Sequence, residues 1–230
     1  MSKTIIHKDN EAFFGEKKHL EASQRLTFPA MIFELLSEHK PSDAEIKVFE
    51  LLLNLSIDHG PETPSALAVI EAAKAGKPMG ESIAAGMAQI NDSHGGAGQG
   101  CMEVLYKIKK ESMAPADLVS EYLGATKRIP GYGHRIYKID PRVELIFKTM
   151  RDAGLGEEYI GLAKELEKEL KEKSGKELPV NIDGAIAVAL CAFGWKPILA
   201  KAVFIAARAP GLCGQFLNLR SERVEPLPNT

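Results

Sequence analysis

This chain of 230 residues has little cysteine, one tryptophan and no excess of either charge. Each shortage removes a class of protein. The three cysteines, Cys101, Cys191 and Cys213, form no CxxC pair and no zinc spacing. Their Ala, Leu, Gly and Met neighbours place them as buried free thiols, and an odd number of thiols fits a reducing compartment. No run approaches the roughly 18 apolar residues of a membrane span. The most apolar stretch, residues 184–194, is cut by Gly194, Trp195 and Pro197. Residues 1–10 have neither the apolar core nor the cleavage site of a signal peptide, so a cytoplasmic location is expected. Lys and Arg total 29 against 31 Asp and Glu, which leaves no general attraction to nucleic acid or to an anionic membrane.

What remains is an ordinary globular composition, 45% hydrophobic and 26% charged, long enough to bury a core without staples. The periodicity is helical almost throughout. Ser42-x-x-Glu45 is a capping box ahead of a run from Ile46 to Ile57. Thr63 caps a helix with Pro64 at its first position, and Asp140 does the same with Pro141. Small-residue helices are expected near 65–75 and 82–90, a one-sided helix from Tyr159 to Leu170, and a fully apolar one over 184–193. Pro197 opens a last long helix that should end near Pro210 and Gly211. No Asn-Gly hairpin or sustained period-two run marks a strand. The expected class is all-α. Residues 1–95 and 195–230 are apolar and Ala-rich and 96–194 wetter, which fits a small helical domain inserted into a larger one.

Four ionisable residues stand at breaks between helices: His59 in DHG, His94 in HGGAGQG, His134 in GYGHR and Asp183 in NID. His7, His19 and His39 sit among polar neighbours and read as surface residues. Gly95, Gly96, Gly98 and Gly100, and Gly131 and Gly133 about Tyr132, let a backbone approach something closely. The first loop is not GxxxxGK[ST], so no nucleotide P-loop is assigned. A histidine in a glycine loop and an aspartate before a helix also have plain turn and capping readings.

The series DHG, HGG, GYGHRIYKIDPR and NID closely resembles the citrate synthase superfamily, from about residue 46 to 223. Being short for a full synthase, the chain looks most like the stand-alone citryl-CoA lyases, which are similar to the C-terminal module of ATP-citrate lyase. The resemblance implies an acyl-CoA substrate and a reaction through an acetyl-CoA enolate. It implies that His94 holds the thioester oxygen, that His134 serves the oxygen shared by oxaloacetate's carbonyl and citryl-CoA's hydroxyl, and that Asp183 moves the methyl proton. His59, Arg142 and Arg208 match residues on substrate carboxylates. Gly131, Tyr132, Gly133, Arg135 and Lys138 resemble a CoA-binding loop. A further arginine is implied from a partner subunit of a homodimer; Arg220 and Arg223 are candidates, Arg223 preferred. Gly98 stands where the family's loop usually reads Asn.

These residue types suit that chemistry. Cleavage needs a base near a tertiary hydroxyl, donors at the thioester oxygen, and an acid near the methylene carbon. A helix start favours a charged Asp183, whereas burial would raise its proton affinity, and catalysis calls for the second effect. Arginine's planar fork suits carboxylates. CoA would come and go with the substrate, with no permanent cofactor or metal. A compact citrate synthase or a 2-methylcitrate-type enzyme shares every motif. A hydrolase with a metal on the three histidines and an aspartate, and a non-catalytic helical module, are the more distant readings.

Overall fold

The computed structural model describes residues 4–134 and 137–219. It opens on a three-stranded antiparallel meander, β1 (Ile5–Lys8), β2 (Glu11–Phe14) and β3 (Lys17–Lys18), with Ile5 opposite Phe14 and Phe13 opposite Lys18. The sequence analysis assigned no strand here. Asp9 and Asn10 both take positive φ, the conformation of a two-residue hairpin turn, and Gly15 at φ 61° turns the chain again. The Asp-Asn pair does this without the glycine that usually marks such a turn.

Helices follow: α1 (His19–Arg25), α2 (Phe28–Ser37), α3 (Asp43–Ser56), α4 (Pro64–Lys74), α5 (Met79–Met87), α6 (Ala97–Glu111), α7 (Pro115–Gly124), α8 (Pro141–Asp152), α9 (Glu157–Ser174), α10 (Ile182–Ala192) and α11 (Ile198–Leu217). Their starts are chemically specified. Ser42 and Glu45 form the full reciprocal capping box of α3. Thr63 caps α4 and Asp140 caps α8, each with proline in the first turn.

Helix α10 is the centre of the molecule. Every residue from Gly184 to Cys191 is buried, as an all-round apolar helix requires, against α3, α6, α8, α9 and α11. Helix α9 buries only the stripe Ile160, Ala163, Leu166 and Leu170. A main cluster joins α2, α3 and α6 to α11, and a smaller one of Ala66, Val69, Leu212 and Phe216 holds α4 and α5 to the end of α11. Cys101 and Cys191 are buried thiols; Cys213 is only partly covered.

Three helix boundaries differ from expectation. Helix α6 begins at Ala97, inside the glycine run, so Gly98 and Gly100 are helical. Their lack of a side chain serves close packing: a Cβ at Gly100 would lie 2.9 Å from Pro130. The cap of α10 is Asn181, which puts Asp183 inside the first turn. Helix α11 runs through Pro210 to Leu217. Proline removes one ladder bond, but beyond it Leu212 and Phe216 are held in the smaller cluster, and Gly211 packs directly on the Ile57 carbonyl.

Candidate active site

The turn after α3 and the loop before α8 bring His59, His134 and Arg142 together. The rings of His59 and His134 lie 5.5 Å apart, nearly perpendicular. The Arg142 guanidinium sits between them, with Nη1 3.3 Å from His59 Nδ1 and Nη2 3.4 Å from His134 Nε2. Asp140, fully buried, holds that guanidinium through Nε at 2.9 Å and Nη2 at 2.6 Å while also capping α8 through the Arg142 N–H. One carboxylate thus starts the helix and aims its arginine. Burial, followed by the Arg142 charge, lowers the His59 pKa and keeps that ring neutral near pH 7.

The backbone N–H of Tyr137 reaches His134 Nδ1 at 3.1 Å. Both nitrogens of His134 thus face groups that only donate, the Tyr137 N–H at Nδ1 and the Arg142 guanidinium at Nε2.

His94 forms a second focus. Its Nε2 lies 2.9 Å from Ser65 Oγ, a fully buried hydroxyl in the first turn of α4. The His94 ring stands edge-on to Phe204, 6.1 Å between centroids. Arg208 stacks on Phe204 at 4.7 Å, and its Nε donates to the Ser56 carbonyl at 2.9 Å. Arg208 Nη1 is buried with no hydrogen-bond partner among the described residues, as is Asp58 Oδ1. A buried guanidinium nitrogen so left is costly, and a bound anion would complete it. Asp58 accepts from the Gly60 N–H and from Gln215 Nε2 through its other oxygen.

Asp183 connects the two foci electrically. Burial pushes its carboxyl up from 3.8 to about 6, against the pull of Arg208 and Arg142. Its backbone is equally constrained, since a Cβ on Gly98 would lie 3.2 Å from the Asp183 carbonyl oxygen. The GYG segment packs against the same helix start. Tyr132 bridges to Val180; Gly133 N–H donates to Pro179 O at 2.7 Å, and Asn181 N–H to Gly131 O at 3.0 Å. Gly131 and Gly133 take φ of 85° and 93°, which non-glycine residues rarely adopt. The Tyr132 hydroxyl is spent on the Ala163 carbonyl.

So the structure unites His59, His134 and Arg142, sets His94 with Arg208 across Phe204, and puts Asp183 in the field of both arginines. Lys138 lies exposed beyond His134. Arg135, Arg220 and Arg223 fall outside the described residues. Sequence reading missed Ser65, Asp58, Asp140 and Asn181 as members of this region. Asp140 and Asn181 were legible only as helix-start residues, and the partners of Ser65 and Asp58 lie far along the chain. Among the described residues no group of three or more His, Cys, Asp or Glu is placed to hold a metal ion, and no helix is long and apolar enough to cross a membrane.

A family model described as "Citrate synthase, C-terminal domain" matches residues 3–225. The solved citryl-CoA lyase of Hydrogenobacter thermophilus superposes with a TM-score of 0.88 at 31% identity, covering 98% of this chain and 91% of that one. A citrate synthase of Thermoplasma acidophilum, in a ternary complex with carboxymethyl coenzyme A and oxaloacetate, gives a TM-score of 0.67 at 22% identity over 87% and 55%. A probable ATP-citrate synthase of Dictyostelium discoideum is 34% identical over 145 residues, 62% of this chain. The chain spans only 23% of that relative's length.

Proposed function

The chain belongs to the citrate synthase family, and on that premise we propose that it cleaves citryl-CoA to acetyl-CoA and oxaloacetate. The observation that carries this reading is the likeness to a citryl-CoA lyase over most of both chains. The substrate's carboxylates are assigned to Arg142, Arg208 and His59. Support comes from the unpartnered buried Nη1 of Arg208 and from Arg142, whose fork is already aimed by Asp140. His134 meets the C3 oxygen and takes the hydroxyl proton as the bond to the methylene carbon breaks. The bonding electrons pass to the thioester carbonyl, whose oxygen is held by His94, steadied from behind by Ser65. Asp183 then delivers a proton to the methylene carbon, giving the methyl group of acetyl-CoA. A carboxyl raised to about 6 is suited to this, because it holds and releases a proton close to neutral pH.

CoA enters as part of the substrate in this scheme, along the GYGH loop and Lys138. The two-part division, 1–95 with 195–230 around 96–194, belongs to the same proposal. That the proposed site residues come from all three stretches supports a site at the seam, where closure would exclude water. A homodimer is proposed as well. Leu67 of α4 and Ile198, Ile205 and Leu217 of α11 expose large apolar side chains that a second copy would cover.

The test supplies citryl-CoA and follows oxaloacetate by NADH oxidation through malate dehydrogenase. Prompt release supports the lyase. Equal or faster appearance of free CoA from acetyl-CoA and oxaloacetate would instead make the chain a compact citrate synthase.

A further inference from the structure

One residue makes four hydrogen bonds that tie the loop of His134 to the helix of Asp183. The backbone N–H of Asn181 donates to Gly131 O at 3.0 Å, and its carbonyl accepts from Ala185 N–H at 2.9 Å. Its side-chain Oδ1 accepts from the Gly184 N–H at 3.2 Å, capping α10. Its Nδ2 donates to Gly133 O at 2.9 Å. Gly133 immediately precedes His134, and Asn181 stands two residues before Asp183. The two segments are in direct backbone contact: a Cβ on Gly184 would lie 2.5 Å from Gly131 O.

We propose that Asn181 is a positioning residue that sets His134 against Asp183, and that its amide is needed because the side chain must donate and accept at once. The inference rests on the roles given to those two residues above. Aspartate would keep the cap but lose the donor, and a carboxylate would then face the Gly133 carbonyl. Serine also caps, and is too short to reach both partners. Either replacement leaves α10 started and removes the side-chain bond to Gly133 O, the residue beside His134, while the backbone bond to Gly131 O stays. The expected loss is therefore one of geometry between groups that are all still present.

The experiment measures citryl-CoA cleavage by the full chain, by Asn181→Ser and by Asn181→Asp, together with their thermal midpoints. Both variants should keep a midpoint near that of the parent. Each should lose about 10–100-fold in kcat, as misplacement of reacting groups does, with KM for citryl-CoA within about threefold. Turnover within twofold of the parent in either variant would overturn the inference. So would a parallel collapse of kcat, KM and midpoint in both, which would mark Asn181 as a structural cap only. The reading beneath it is checked separately. If the parent does not cleave citryl-CoA, or Asp183→Asn cleaves it as fast, that reading fails; if the parent cleaves and the Asn181 variants match it, only the positioning role fails.

Discussion

Asp183 pays for its place in the molecule in a way that pH exposes. Its carboxyl titrates near 6 in the folded chain because burial disfavours the charge. Unfolded, it titrates near the ordinary 3.8. Between those values the folded chain holds a proton that the unfolded chain has released, so rising pH across that window weakens the fold. Asp183→Asn removes the penalty. Its midpoint advantage over the parent should grow from about pH 4 to about pH 6 and then level off, as read by thermal melts in a buffer series. The same replacement should abolish most citryl-CoA cleavage. Cleavage that uses the protonated acid should also fall in the parent, in kcat/KM, as pH rises through about 6. A flat profile would remove Asp183 from the proton transfer.

Ser65 has a narrower task. It touches His94 Nε2 and no other site residue in the contacts described. Ser65→Ala should cost up to about tenfold in kcat, the worth of one hydrogen bond on the developing charge. His94→Ala should cost about 10²–10³-fold, because it removes the donor itself. If the two replacements are equally mild, the thioester oxygen is held elsewhere. Neither Ser65 nor Asn181 stood out in the sequence, since serine after proline and asparagine before a helix are routine starts. What gives them a part in the site is a partner 29 residues away for one and 48 for the other.

At the scale of helices, small residues decide where the site's parts can meet. Gly184 leaves no room for a methyl group against Gly131 O, whereas Gly161 on the exposed face of α9 has nothing near. Gly184→Ala should destabilise by about 1–3 kcal/mol, the usual cost of overpacking. Gly161→Ala should stabilise by about 0.5–1 kcal/mol, because alanine is the better helix former. Urea melts of the two variants would report both signs. Reading Gly98 and Gly100 as loop residues missed the start of α6, because close packing and chain flexibility ask for the same residue. Caps were more legible. Ser42, Thr63 and Asp140 act through neighbours two or three residues on, so local spacing sufficed. The passage of α11 through Pro210 was not legible, since Leu212 and Phe216 hold it by contacts with α4, far away in sequence.

Across the whole molecule, the helical class was readable from periodicity, and the four ionisable positions of the proposed site each sit in a distinctive local string. Their mutual arrangement was not, since it depends on which helices pack around α10. The proposed dimer is a prediction at this scale. Sedimentation equilibrium should give about twice the 25.0 kDa chain mass, and Ile205→Lys should shift it toward the single chain.

The bonds that hold Arg208 and Gln215 reach back across 152 and 157 residues, to Ser56 and Asp58. In the order of synthesis, α11 comes after every other described element, and under the proposed roles it brings Arg208 after the histidines. While the chain is still leaving the ribosome, the histidines can be fully made and partly packed, yet the Arg208 guanidinium proposed to hold a substrate carboxylate has not been translated. Activity should therefore appear only once residues 197–217 have emerged, and a nascent chain stalled before Pro197 should be silent.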